Sequence, residues 1–384
     1  MKKKTIGGEI AEISEGPEKN GKTVSKKRNV LGKVFGIAGC VIGALIVFAA
    51  AYVIYVFASY HRVGDMKLTA VNRSETVYET GKEYKMVSFN IGFGAYESDF
   101  GFFMDGGSEG RAWSLESLKK NMTAIAGFLK NENADIYHIQ EIDENATRSY
   151  GVDERIYLED ALSDLSYVYA QNWDSPYLWL PFLKPHGSAK TGIMIFAKGA
   201  LNEPERVELP VETGVMKIID LDRCYQKTRL AVENGKDLVL YNFHISAYTS
   251  DGKVAVDQLL KLFEDFNSEY DKGNYCIAGG DFNKDILGDS SEYFGKPDVE
   301  YTWAQPFPEG ILDGSKQTMI APLDKDNPVP TCRNADGPYH EHQLQLTIDG
   351  FIISNNITCV SSDVIDTGFA YSDHNPIRMI LVLN

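Results

Sequence analysis

Tyr275-Cys276-Ile277-Ala278-Gly279-Gly280-Asp281-Phe282-Asn283 is the stretch that decides how this chain is read. Tyr275–Gly279 is a short apolar run of strand type, and it passes directly into Gly280, Asp281, Phe282 and Asn283. Working outward, the same junction of strand and polar residue recurs. Lys85–Phe89 runs into Asn90, Asp135–Gln140 into Glu141, and Leu238–Phe243 into His244. Asp349 lies within the strand Leu346–Ile353, and Tyr371-Ser372-Asp373-His374-Asn375-Pro376 immediately precedes the last strand, Ile377–Leu383. Open α/β sheets hold ligands at strand ends, so these residues are expected to converge on one cleft.

Helices are interleaved with the strands. Leu115, Leu118, Met122, Ile125, Ala126 and Leu129 recur at helical spacing within Trp113–Asn131. Val256, Leu259, Leu260, Phe263 and Phe266 do the same within Val254–Tyr270, which stops before Gly273. Gly192–Ala197 is a further strand, and Thr228–Glu233 and Leu238–Phe243 flank Asn234-Gly235, a two-residue hairpin signal. An α/β chain with a hairpin calls for a mixed sheet rather than a purely parallel one.

Carboxylates, amides and two imidazoles, with no thiolate cluster, suit a hard cation with oxygen ligands; Mg²⁺ fits best and Mn²⁺ is a substitute. Such an ion polarises a phosphoryl group and offsets charge on the leaving oxygen. Asn and neutral His donate hydrogen bonds to phosphate without needing a positive surface.

Six motifs stand in order: Ser88-Phe89-Asn90, Ile139-Gln140-Glu141, Asn242-Phe243-His244, Gly280-Asp281-Phe282-Asn283, Ile348-Asp349-Gly350-Phe351 and Ser372-Asp373-His374-Asn375-Pro376. Together they resemble the endonuclease/exonuclease/phosphatase superfamily, which includes apurinic endonucleases, pancreatic-type deoxyribonucleases, neutral sphingomyelinases and inositol polyphosphate 5-phosphatases. The resemblance covers Tyr84 to Asn384. It implies an α/β fold, a four-layer sandwich of two packed mixed β-sheets flanked by helices, and a divalent-metal-dependent phosphoesterase. It further implies Glu141 as principal metal ligand with Asn90 beside it and Asp373 supporting the metal cluster. Asp281 would orient or activate water, Asn283 would hold the phosphate and His244 would contact the scissile phosphate or leaving group. His374 would contact the phosphate as base or transition-state stabiliser, with Asp349 fixing its tautomer. Apurinic endonucleases carry Tyr where this chain has His244, which points away from that branch. His138, His186, His340 and His342 match no motif and read as structural or surface groups; Arg148 and Arg229 could touch an anionic substrate, with solvated charges the preferred reading.

Lys and Arg number 38 against 54 Asp and Glu, a net charge of −16. Nine basic and four acidic side chains in residues 1–33 make +5, which leaves −21 for the remainder. A body that acidic lacks the basic footprint of a nucleic-acid binder. Cys40 lies in an apolar segment, and Cys224, Cys276, Cys332 and Cys359 form no C-x-x-C pair, so they read as small buried hydrophobes.

Between Val34 and Tyr60 there is no Asp, Glu, Lys, Arg or His. At ~1.5 Å per helical residue this exceeds a hydrocarbon core of about 30 Å and is far longer than a signal-peptide apolar region. Tyr52, Tyr55 and Tyr60 suit the headgroup layer, and the basic tail sets it inside. The expected organisation is a cytoplasmic tail (1–33), a transmembrane helix (34–60), a stalk (61–83) and an extracytoplasmic catalytic domain (84–384) at the cell membrane. Gly39 and Gly43 form one G-x-x-x-G, a pattern that allows a helix-mediated dimer.

Three function classes compete. A phosphoesterase acting on a phospholipid or small molecule at the outer membrane face is favoured. A membrane-anchored endonuclease or exonuclease acting on DNA or RNA is the alternative. An adhesion module that merely keeps the fold would lack the metal carboxylate, whereas Glu141, Asp281 and His374 are present. No serine-hydrolase elbow and no catalytic Cys setting is expected. The segment Trp173–Leu183, apolar, aromatic and broken by Pro176 and Pro181, reads either as a loop that meets lipid or as a packed loop.

Overall fold

The computed structural model describes residues 21–214, 221–247, 252–297 and 303–384, with backbone alone for 21–29. Most of the expected basic tail lies outside the described residues. The chain divides into two units, Met1–Ala58 and Ser59–Asn384. Helix α1 (Gly21–Ser59) contains the stretch Val30–Ser59, which is long and apolar enough to cross a membrane.

In chain order the second unit contains β1 (Met66–Lys67), β2 (Glu83–Asn90), α2 (Leu115–Glu132), β3 (Ile136–Ala146), α3 (Arg155–Ala161), β4 (Ser166–Asp174), β5 (Ala189–Ala197), β6 (Asn202–Glu208), β7 (Cys224–Ala231) and β8 (Asp237–His244). There follow α4 (Lys253–Asp271), β9 (Tyr275–Asp281), β10 (Lys284–Asp285), α5 (Ser291–Phe294), β11 (Gln305–Pro306), β12 (Gln317–Ile320), β13 (Cys332–Arg333), β14 (Gln345–Leu346), β15 (Asp349–Ser354), β16 (Ile357–Val364) and β17 (Ile377–Leu383). One sheet has the order β1-β6-β7-β8-β9-β15-β12 and the other β16-β17-β2-β3-β5-β4. Each is antiparallel except for one central parallel pair, β8–β9 in the first and β2–β3 in the second. Both sheets are therefore mixed.

Alternation of side chains across each strand gives every sheet two apolar faces to cover. The inner faces pack on each other through Met86, Ile136, Ile195, Leu240, Ile277 and Phe351. On the outer face of the second sheet α2 lays down Leu118, Met122, Ile125 and Leu129 against Phe89 and Ile139. Ser114 caps this helix by accepting from Ser117 N at 3.0 Å, and Asn133 in the left-handed region ends it. On the other side α4 covers Val239, Tyr241 and Cys276 with Leu259, Leu262, Phe263 and Phe266. The result is the expected four-layer sandwich of helix, sheet, sheet and helix.

The stalk expected at 61–83 is replaced by a docked segment. Arg62 donates to Leu209 O at 2.9 Å, β1 pairs antiparallel with β6, Val71 bridges Tyr167, and Tyr78 is fully buried against the inner core. A polar run with one aromatic looks like a linker, yet backbone pairing to a sheet edge needs no apolar pattern. Cys224, Cys276 and Cys332 are buried and Cys359 half-buried, and all are free thiols.

Where the sheets approach the cleft, the contact between them becomes polar. His138 on β3 meets Gly279 O at 3.0 Å, Gln140 donates to Asn242 Oδ1 at 2.8 Å, and Asn242 donates to Ile139 O and Met194 O at 3.1 and 2.9 Å. His138 is inaccessible to water, and burial pulls its pKa down to about 4 despite the bond to Gly279 O. Folding therefore favours the neutral ring: this stability is intact above pH ~6.5 and drains away as pH falls toward 4. The protonated ring costs on the order of 3 kcal/mol. Urea midpoints at pH 7 and pH 4.5 should differ less for His138→Gln than for the wild-type chain. An equal gap in the two would show that His138 does not carry the acid sensitivity.

Candidate active site

Strand register alone brings the central residues together. His244 and Asp281 are paired positions on the parallel strands β8 and β9, and Asp281 and Asp349 are paired positions on the antiparallel strands β9 and β15. The approach of β9 to β8 is so close that a Cβ on Gly280 would stand 2.1 Å from Phe243 O, so only glycine fits. Asn90 ends β2 from the opposite sheet and donates to Asp281 Oδ2 at 3.1 Å and to Glu141 Oε1 at 3.2 Å.

Glu141 breaks the strand pattern to get there. The β3–β5 register shifts between Ile139 and Ile142, and Glu141 takes φ 56°, so this bulge turns the carboxylate into the cleft. Asn283 also has a left-handed backbone, at φ 48°. Its N–H donates to Asp281 Oδ1 at 2.8 Å and its amide to Ile245 O at 2.8 Å. The loop before β17 is pinned at both ends. Ser372 donates to Asn90 O at 2.8 Å and accepts from His374 N at 3.1 Å, while Asn375 donates to Pro330 O at 3.0 Å. His374 is thereby held with Nδ1 2.8 Å from Asp349 Oδ2 and Nε2 3.7 Å from Asp281 Oδ2. His244 Nε2 stands 3.4 Å from Asp281 Oδ2 and 4.0 Å from Glu141 Oε1.

The two imidazoles are driven to opposite charge states. Burial opposes the charge on His374, but the Asp349 carboxylate overrides it and raises the pKa well above the ordinary value. Burial, with Arg223 and His374 nearby, lowers His244 far below it. Burial also raises Asp281, Glu141 and Asp373, with Arg148 opposing it at Glu141 and His374 at Asp281 and Asp373. Glu141, Asp281, His244, Asn283, Asp373 and His374 all border one cleft of about 170 Å³.

Arg148 and His186 are among the further residues that border that cleft. Arg148, read as a solvated charge, is buried and bound in two places to Asp143 at 2.9 and 3.0 Å, with its guanidinium 3.8 Å from the centre of the Phe93 ring. His186 lies beside Trp173, ring centroids 5.5 Å apart. No local pattern marks either; only burial next to the cleft does. Arg229, read likewise, is engaged by Glu269 at 2.7 and 2.8 Å and does not border the cleft. The spacing G-x-S-x-G does occur, at Gly106-Gly107-Ser108-Glu109-Gly110, against expectation. Ser108 sits in a bend rather than on a strand-to-helix turn, and its hydroxyl donates to Glu109 Oε1 at 3.2 Å, so it forms no nucleophile elbow.

The fold is shared with solved proteins. An endonuclease/exonuclease/phosphatase from Beutenbergia cavernae DSM 12333 superposes with TM-score 0.53 at 16% identity, over 79% of this chain and 72% of that one. ANGEL2, a 2′,3′-cyclic phosphatase in complex with adenosine-2′,3′-vanadate, gives TM-score 0.53 at 15% identity over 83% and 99%. An endonuclease/exonuclease/phosphatase from Bacteroides vulgatus gives 0.50 at 15% over 79% and 100%. No family model and no curated protein matches the sequence. At these identities the likeness defines a class by fold: the chain has the endonuclease/exonuclease/phosphatase architecture.

The donor set fits a divalent cation. Among the described residues Glu141, Asp281, Asp349 and Asp373 form no ion pair with Lys or Arg; the ring nitrogens within 4 Å of Glu141, Asp281 and Asp349 are those of His244 and His374. Clustered oxygen donors in a desolvated cleft call for a hard ion. Asp281, Asp349 and His374 also lie within 4.8 Å of one another, close enough for a single ion. Within that group Asp349 Oδ2 already faces His374 Nδ1, while Glu141 and Asp373 border the same cleft and add further carboxylate oxygens. Calorimetric titration of the full chain in detergent should give Mn²⁺ and Mg²⁺ binding that Glu141→Gln weakens by about 10–100-fold. Equal affinity in the variant would move the ion elsewhere.

Proposed function

We propose that this chain is a divalent-metal-dependent phosphoesterase, anchored by its N-terminal helix, that hydrolyses a phosphodiester of a lipid or small molecule at the outer face of the cell membrane. The observation that carries this reading is the meeting of two His–Asp pairs, His374–Asp349 with a charged ring and His244–Asp281 with a neutral one, beside Glu141 at one cleft. One fold neighbour, ANGEL2, is a 2′,3′-cyclic phosphatase, which supports phosphoester chemistry on this scaffold.

The chain's own groups divide the work. Asp281, raised by burial and facing both histidines, orients a water and accepts its proton. His374, kept charged by Asp349, directs Nε2 at a phosphate oxygen and stabilises the charge that develops there. His244, kept neutral, and the Asn283 amide donate to the remaining phosphate oxygens or the leaving group. Glu141, Asn90 and Asp373 would hold Mg²⁺, or Mn²⁺ in its place, which when bound polarises the phosphoryl group and offsets the leaving charge.

With Mg²⁺ present, a panel of phospholipids, phosphoinositides, small diesters, DNA and RNA should show turnover of a lipid or small diester. Asp281→Asn and His374→Ala should each lower kcat by about 10²–10⁴-fold with the unfolding midpoint kept. Degradation of DNA or RNA faster than any lipid, with steep salt dependence, would assign the nuclease reading instead. Full activity in excess chelator would reject the mechanism.

The position of +5 before the span motivates an extracytoplasmic domain. Protease added to intact cells should cleave the C-terminal unit; complete protection would invert the topology.

A further inference from the structure

We infer that the Tyr177–Leu183 loop is a second membrane contact, entering the headgroup layer of the bilayer that holds the N-terminal helix and presenting the cleft to the phosphoester of a lipid headgroup. The inference rests on the readings of Val30–Ser59 as a membrane span and of the cleft as a phosphoesterase site.

The loop carries large apolar side chains into solvent. Leu180 is 62% exposed, Phe182 74% and Leu183 89%, and Trp179 is 39% exposed while its ring stacks on Phe182 with centroids 6.3 Å apart. Such a display on a soluble surface is costly unless something covers it. The loop is also a built feature rather than a loose end. Leu178 and Gly187 exchange backbone hydrogen bonds of 3.0 Å, and His186 N donates to Leu180 O at 2.8 Å. Lys184 Nζ holds Glu109 at 2.6 Å and Arg111 donates to Pro185 O at 2.8 Å.

Three observations select a bilayer as the occupant. First, Ser175 to Ala189 contains no Asp or Glu, in a body that carries −21 in all, and it places Trp and Lys beside aliphatic tips, the composition of an interfacial segment. Second, the loop is rooted where the chain leaves the span. His61 Nε2 lies 3.4 Å from Asp174 Oδ2, at the end of the strand that leads into the loop, and His61 follows Ser59 by two residues, at most ~7 Å of chain. A bilayer around the helix is therefore within reach of the loop. Third, both roots of the loop are walls of the cleft: Trp173 on one side and His186 on the other border it, with their rings in contact. A loop seated in headgroups brings the cleft to the level of their phosphates.

The test uses the full chain in proteoliposomes of equal parts phosphatidylcholine and phosphatidylglycerol, with and without brominated phosphatidylcholine. Brominated lipid should quench tryptophan fluorescence, and Trp179→Phe, which keeps a ring on Phe182, should remove most of that quenching. The combined variant Leu180→Ser, Phe182→Ser and Leu183→Ser should hydrolyse vesicle phospholipid about tenfold more slowly or worse. Its turnover of soluble bis(p-nitrophenyl) phosphate should be unchanged. Equal quenching in wild-type and Trp179→Phe chains overturns the inference. So does Trp179 emission that depends on protein density in the bilayer rather than on bromine, which would assign the loop to a second copy of the chain. Absence of bis(p-nitrophenyl) phosphate turnover in the wild type would reject the phosphoesterase reading, while the quenching still decides the membrane contact.

Discussion

A short polar seam between the two sheets governs the rest of this molecule. Over most of their area the sheets meet through Ile, Leu, Met and Phe, contacts that tolerate small slips. At the cleft end they are joined by Asn90 to Asp281, Gln140 to Asn242 and His138 to Gly279. Hydrogen bonds have direction and a narrow range of length, so they fix the relative register of β3 and β9 in a way apolar packing does not. Each catalytic candidate then stands at a strand end or bulge whose position that register dictates. Gln140 and Asn242 act in this as positioning groups, because beyond their mutual bond Gln140 donates to the Ser88 hydroxyl and Asn242 to two backbone carbonyls.

The same seam sets the electrostatics. Drawing Asn90, Glu141, Asp281 and Asp349 out of water into one corner concentrates acceptors, and the two imidazoles respond in opposite ways. His374, with Asp349 behind it, becomes a cation; His244, with Arg223 near and no carboxylate behind it, stays neutral. Two identical side chains about one Asp thus acquire different chemistry from their outer neighbours alone.

Much of this was legible in the sequence because the central strands are buried on both faces. Such strands are written as near-continuous apolar runs, and a polar residue at the end of one, such as Asp281 after Tyr275–Gly279, stands out. Strands at or next to a sheet edge are written differently. β6, Asn-Glu-Pro-Glu-Arg-Val-Glu, and β16, Ile-Thr-Cys-Val-Ser-Ser-Asp-Val, have one wet face and mixed composition, and neither was read as a strand. The docking of 61–83 escaped for the same reason, since it depends on two-residue β1 and the single ring of Tyr78. Arg148 escaped because an arginine's burial is decided by partners distant in sequence: Phe93 beneath it and His186 beside it are invisible from residue 148. The bulge that turns Glu141 was hidden as well, because the strand pattern ahead of it carries no irregularity.

The docked segment after the helix has a consequence for where such an enzyme works. A domain on a slack tether samples a hemisphere and reaches opposing surfaces, at an effective concentration set by the tether's length. Here Arg62, Met66 and Val71 fasten the chain to its own domain almost as soon as the helix ends. On the membrane reading, the leash has no slack. The cleft is then confined to the leaflet that its own helix crosses, where encounters with substrate follow lateral diffusion in two dimensions, and a neighbouring cell's surface lies out of range.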